Sequence, residues 1–135
     1  MNKYGFSLMY PYLLVAVGGA IGSMLRYGTG VFVGNFWRDP FPLGTLLINI
    51  IGSLVMGLFV GLMARLLPAW QNDARLFFAV GVLGGFTTFS SFSLDTITMI
   101  ERGDLVPAFL YVALSVAIAI PALYLGLVLM RGSPA

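Results

Sequence analysis

Gly81-Val-Leu-Gly-Gly-Phe-Thr-Thr-Phe-Ser-Ser-Phe-Ser-Leu-Asp95 lies inside an apolar run from roughly Leu76 to Ile100. Such a run can cross a bilayer as a helix, which takes about 20 residues. Its middle nevertheless holds two adjacent glycines, five hydroxyl side chains, three phenylalanines and, at the end, a carboxylate. These are poor groups to show to lipid, so the span must turn them toward protein or water. Gly84-Gly85 frees the backbone to leave helical angles, and Thr87 or Thr88 can cap a new helix start. A span broken there ends one half-helix in unpaired carbonyls and begins the next with unpaired N–H groups. The carbonyl end suits a small cation and the N–H end an anion. Beyond it, Phe89 and Phe92 share a face that Thr96 continues, while Thr88, Ser91 and Asp95 form a second, polar line.

The surrounding chain supplies a scaffold of the same kind. Of 135 residues, 59% are hydrophobic and 9% charged, against roughly 25% charged in a soluble domain, so the protein is integral to a membrane. Four apolar runs, over about 10–36, 43–67, 76–100 and 105–130, are separated by Trp37-Arg38-Asp39-Pro40, by Pro68 through Arg75, and by Glu101-Arg102-Gly103-Asp104. The economical reading is a single transmembrane domain over 1–135: an all-α membrane protein of four alternately directed helices, the third one broken. The first run follows one lysine and has no small-x-small cleavage site, so it is read as a retained span. The chain has no cysteine and no histidine, which removes disulfides, thiol nucleophiles, imidazole bases and the usual zinc or haem ligands. With no base beside a nucleophile in any span, an enzyme is not expected. The net charge of +2 is spread along the chain, without the concentrated basic patch that nucleic acid requires.

Orientation is weakly specified. Lys3, Arg65, Arg75 and Arg131 fall on one side, Arg38 and Arg102 on the other, with Arg26 near that second end. So small a Lys/Arg asymmetry leaves both insertions open, and with them an antiparallel homodimer.

Two further spans carry polar groups at telling positions. Gly18-Gly-Ala-Ile-Gly22-Ser23 is a small-xxx-small pattern that lets backbones approach in lipid, and it leads to Arg26, which must snorkel, pair or face water. In the second span Thr45, Asn49, Ser53, Gly57 and Gly61 recur every four residues. The hydroxyls and glycines there read as helix–helix packing, but Asn49 brings two donors and an acceptor that need partners. In the fourth span Tyr111 and Ser115 share a face, and Pro121 loosens the helix. An aromatic edge is electropositive, and conduction needs attraction weak enough to release the ion. Asn49, the edges of Phe89 and Phe92, and hydroxyls therefore suit a path for a small, strongly hydrated anion.

Gly18-Gly-Ala-Ile-Gly-Ser-Met-Leu-Arg26-Tyr27, Gly44-Thr-Leu-Leu-Ile-Asn49-Ile-Ile-Gly52 and Gly81 to Phe92 resemble, in order and spacing, the three signature segments of the CrcB/Fluc fluoride channels. Ser91 departs from that family's Thr-Thr-Phe-Ser-Thr-Phe, losing a methyl group and keeping the hydroxyl. The resemblance implies an antiparallel, dual-topology homodimer in the cell membrane, with two fluoride pores and a structural sodium ion on the two-fold axis. It implies that Gly84 and Thr87 give backbone carbonyls to the sodium, that Phe89 and Phe92 line the pores, and that Asn49 is the pore amide. Thr45, Thr88, Ser91, Asp95, Tyr111 and Ser115 match supporting polar positions, and Arg26 an arginine near the pore vestibule. The role implied is passive export of fluoride that entered as HF. A small dual-topology multidrug exporter is the alternative; its proton coupling needs an intramembrane carboxylate, for which Asp95 is the candidate. A non-transporting assembly subunit would leave Asn49 and the Thr87–Ser93 chemistry without a use.

Overall fold

The computed structural model describes residues 3–132. Apart from short connections the chain is helical: α1 (Lys3–Phe36), α2 (Leu43–Leu66), α3 (71–86), α4 (Phe89–Glu101) and α5 (Leu105–Arg131). Among the described residues four segments are long and apolar enough to cross a membrane, the third being Gln71–Glu101, which contains α3 and α4. The helix α1, with 34 residues, rises about 50 Å at 1.5 Å per residue, so it begins well before the apolar run near Tyr10. Trp37 and Trp70 lie in the connections, both exposed. The α2 end is closed by Leu67 in the left-handed region at φ 45°, whose N–H bonds the Met63 carbonyl; Pro68 follows and stops the helix.

Within α3, the stretch Arg75–Leu83 is π-helical, and the N–H of Gly84 reaches back to the Ala79 carbonyl. Helical backbone stops at Phe86. Thr87 (φ −81°, ψ 158°) and Thr88 (φ −153°, ψ 121°) are extended, and α4 starts at Phe89. The adjacent glycines do not supply this departure. Gly84 is helical (φ −63°, ψ −38°) and Gly85 lies within the closing turn. Gly85 is needed for space instead, since a Cβ there would stand 2.6 Å from the Gly19 carbonyl oxygen.

Close backbone approach decides which helices pair. A side chain at Gly18 would strike the Phe77 carbonyl, and one at Gly22 the Val82 carbonyl, so α1 lies directly on α3. A Cβ at Gly57 would strike the Leu123 carbonyl, one at Gly61 would stand 2.8 Å from the Leu127 carbonyl oxygen, and one at Gly126 would stand 2.5 Å from that of Leu54. Here α2 lies directly on α5. In lipid such contacts rest on dispersion and weak backbone interactions rather than on hydrophobic exclusion, which is why glycines occupy them. The second half of the third segment, α4, packs mainly on α5, over a small core of Leu46, Met99, Ala108 and Tyr111.

Candidate functional site

The residues singled out from the sequence gather where helical backbone is interrupted. Asn49, one turn before the glycine part of α2, holds Thr88 by both backbone groups. Its Nδ2 donates to the Thr88 carbonyl at 3.1 Å, and its Oδ1 accepts from the Thr88 N–H at 2.9 Å. The amide thus replaces the two hydrogen bonds that extended backbone forgoes, and retains one further N–H. Gly52, three residues on, leaves the space that the Thr87 methyl fills. The Thr88 hydroxyl caps α4 by accepting from the Ser91 N–H at 3.1 Å, with the Ser90 hydroxyl 3.2 Å away. Of the two threonines proposed as caps, Thr88 is the one that acts.

Two grooves flank Thr88. The first, about 400 Å³, is bordered by Asn49, Ser53, Thr87, Phe89, Phe92 and Ser115. The second, about 430 Å³, is bordered by Arg26, Tyr27, Thr45, Ser91 and Asp95, with Thr88 shared between them. The residues expected at the pore and the charged residues thus border different grooves. Tyr111 belongs to neither. It is fully buried behind them, its hydroxyl donating to Asp95 Oδ2 at 3.1 Å and lying beside Thr45.

The two phenylalanines differ. Phe89 is 79% exposed, whereas Phe92 packs against Tyr111 with ring centroids 5.1 Å apart; the pair themselves are 5.6 Å apart. Most of the hydroxyls are not free donors. Thr87 donates to the Leu83 carbonyl, Ser93 to Phe89, Thr96 to Phe92 and Ser115 to Tyr111, at 2.6 to 3.0 Å, each one helical turn back. This self-satisfaction is what makes hydroxyls tolerable in a membrane helix.

The Arg26 Nε donates to the Gly85 carbonyl at 3.1 Å. Among the described residues its guanidinium forms no ion pair with Asp95, the one salt bridge being Arg102–Asp104 at 3.1 Å in an exposed connection. No group of three or more His, Cys, Asp or Glu side chains comes together among the described residues. Sequence reasoning missed the Asn49–Thr88 pairing, the Arg26–Gly85 bond and the Tyr111–Asp95 bond. Each had a signal of need, the isolated amide of Asn49, the guanidinium of Arg26 and the carboxyl group of Asp95 in apolar spans, but nothing local named a partner 39, 59 or 16 positions away.

A family model described as CrcB-like protein, Camphor Resistance (CrcB), matches residues 13–127. Similar curated proteins include the fluoride-specific ion channel FluC of Mesorhizobium japonicum, 49% identical over 126 residues, covering 93% of this chain and 100% of that protein. The FluC of Erythrobacter litoralis is 49% identical over 127 residues, covering 91% and 93% of the two chains. That of Agrobacterium fabrum is 51% identical over 118 residues, covering 87% and 94%.

Proposed function

The chain belongs to the CrcB family, and from that premise we propose that it is a fluoride-selective channel of the cell membrane, letting fluoride leave the cytoplasm passively. It is a multi-pass integral membrane protein and a channel rather than an enzyme. The observation that carries the reading is identity near one half, over nearly the whole length, to proteins named as fluoride-specific ion channels.

The first groove is the proposed pore wall. Fluoride leaving water would exchange part of its hydration for the free Asn49 N–H and for the edges of Phe89 and Phe92. That is a weak, multi-point attraction of the kind conduction needs. The third helix acts as a broken helix, its extended Thr87–Thr88 link setting the pore wall on one side and a carbonyl end on the other. The active form is an antiparallel, dual-topology homodimer with two pores. The weak Lys/Arg asymmetry supports this, because neither insertion is strongly preferred.

A structural sodium ion on the dimer axis fits the donor set. The Thr88 N–H, which a continuous helix would direct to the Gly84 carbonyl, goes to Asn49 instead. Outside helix-internal bonds, no donor among the described residues reaches the Gly84 or the Thr87 carbonyl. Carbonyls at a half-helix end are suitable sodium ligands, and sodium there would supply charge that holds two such ends together. Asp95, engaged by Tyr111, serves structure rather than proton exchange, and the exporter reading falls with the family assignment.

The test is fluoride efflux from proteoliposomes, read with a fluoride-selective electrode. Wild-type protein is expected to release fluoride and not chloride. Phe92→Ile and Asn49→Asp are expected to abolish efflux while the protein still runs as a dimer. Unchanged efflux in both variants would remove the pore assignment, and no efflux from wild type would remove the channel reading itself.

A further inference from the structure

In the second groove Arg26 lies with Asp95, so that wall carries one guanidinium and one carboxyl group. A residue acting as an anion lure would be expected to dominate its surroundings in charge. What Arg26 does in the structure is more specific: Nε donates to the Gly85 carbonyl at 3.1 Å across 59 residues of chain, in a part-buried position. That carbonyl lies in the closing turn of α3, among the groups a helix end leaves without internal donors. Away from water such a group must be satisfied by a side chain.

The sequence places the arginine for this task. Gly18 and Gly22 bring the α1 backbone onto α3, and Gly85 allows an approach to Gly19 that a Cβ, 2.6 Å from the Gly19 carbonyl oxygen, would forbid. Arg26 follows Gly22 by four residues, so it stands one turn further along the same face. There α3 runs out. From the opposite side, Asn49 of α2 holds Thr88. The extended link is thus braced at both ends, from two different helices.

We infer that Arg26 is a positioning residue: it fixes the end of α3 through its Nε–H donor, and its charge is not what conduction uses. This rests on the channel reading above. The chemistry of the side chains permits a direct test. In glutamine the amide nitrogen occupies the same place along the side chain as arginine Nε, so Arg26→Gln keeps the donor and removes the charge. Arg26→Met is close in length and has neither. Arg26→Lys keeps the charge but has a carbon where Nε stood.

Efflux from proteoliposomes is measured for all four proteins over a range of fluoride concentration and ionic strength, with thermal unfolding in detergent alongside. Arg26→Gln is expected to stay within about threefold of wild type and keep its unfolding midpoint, while Arg26→Met loses roughly tenfold in maximal flux and unfolds earlier, the effect of an orphaned carbonyl. The fluoride concentration for half-maximal flux is expected to be unchanged in Arg26→Gln. Equal flux in Arg26→Gln and Arg26→Met overturns the inference, as does flux kept in Arg26→Lys and lost in Arg26→Gln. If Arg26→Met does not fold, the Arg26→Gln result alone decides: retention upholds the donor role and loss overturns it. Absent wild-type efflux would strike the channel reading; the donor role is then read from the unfolding midpoints, and equal midpoints in Arg26→Gln and Arg26→Met overturn it.

Discussion

Asn49 is the residue whose two roles can be separated most cleanly, by comparing Asn49→Leu with Asn49→Asp. Leucine has nearly the shape of asparagine and neither polar group, so both bonds to Thr88, at 3.1 and 2.9 Å, are lost. Leaving a buried partner unsatisfied costs about 1–3 kcal/mol. Hydrogen bonds between membrane helices average nearer 0.6 kcal/mol, because the unfolded chain finds other partners. For two bonds to a half-buried backbone the loss should be about 1–3 kcal/mol. Aspartate keeps the acceptor for the Thr88 N–H, and a charged acceptor strengthens it, but an oxygen now faces the Thr88 carbonyl. Its stability loss should be the smaller of the two, near 1 kcal/mol. Flux should order the other way. A negative charge about 5 Å from a passing anion, at an effective dielectric constant of about 20, raises its energy by roughly 3 kcal/mol, about a hundredfold in rate. The assays are reversible unfolding in mixed detergent micelles and electrode-recorded efflux. Asn49→Asp conducting within about threefold of wild type would refute a place for Asn49 beside the ion path. An Asn49→Leu protein as stable as wild type would refute the clamp.

The two phenylalanines should part in the same way: Phe89→Ala should change stability by less than about 0.5 kcal/mol, being a surface change, whereas Phe92→Ala should lose about 1–3 kcal/mol of packing against Tyr111, with efflux falling in both. Similar unfolding curves for the pair would contradict the packing difference. Gly57→Ala should destabilise by about 1–3 kcal/mol, since the methyl meets Leu123 backbone rather than a side chain that can turn aside, while Gly28→Ala, with nothing within 4 Å, should gain up to about 1 kcal/mol of helix propensity; equal effects would show that α2 and α5 do not meet there. Tyr111→Phe should destabilise by about 1 kcal/mol in wild type and by much less when Asp95 is Ala, a coupling that a double-mutant cycle reads directly.

The four spans could be read from the sequence because each is a long apolar run with a sharp polar boundary, and membrane solvation leaves helices as the economical way to satisfy such backbone. The small residues of α1 and α2 announced close contact by their spacing. What they touched was not legible: Gly57 meets the backbone at Leu123, some sixty positions away, and nothing local to either residue encodes that. The Gly84-Gly85 pair misled for a related reason. Glycine weakens a helix and also permits another backbone to approach, and local sequence does not say which use applies; the contact of Gly85 with Gly19 decides it. Which hydroxyls are engaged within their own helix was not legible, because a helical serine or threonine can turn its hydrogen to the carbonyl one turn back, as Ser93 and Thr96 do. Asn49 was the reverse case. Its two donors and one acceptor demanded partners, and a backbone link shorn of helical bonds provides them.

Accounting for the backbone groups of that link divides it into two functional halves. The Thr88 N–H and C=O are taken by Asn49, and the Ser91 N–H by the Thr88 hydroxyl. The downstream half, which carries the proposed pore wall, is thus stabilised within one protomer. Upstream, the Gly85 carbonyl is taken by Arg26, while the Gly84 and Thr87 carbonyls receive no such partner among the described residues, and it is there that the proposed sodium ion and second copy of the chain would act. The two demands are met by different atoms, and their failures should be independent. Replacing sodium with a large organic cation throughout purification should lower the dimer fraction, read by cross-linking, to the same extent in wild type and in Phe89→Ala. Conversely, Phe89→Ala should reduce flux in saturating sodium with the dimer fraction unchanged. A Phe89→Ala protein whose dimer dissociates in full sodium would show that ion path and cation site are one structural unit, and would undo the separation argued here.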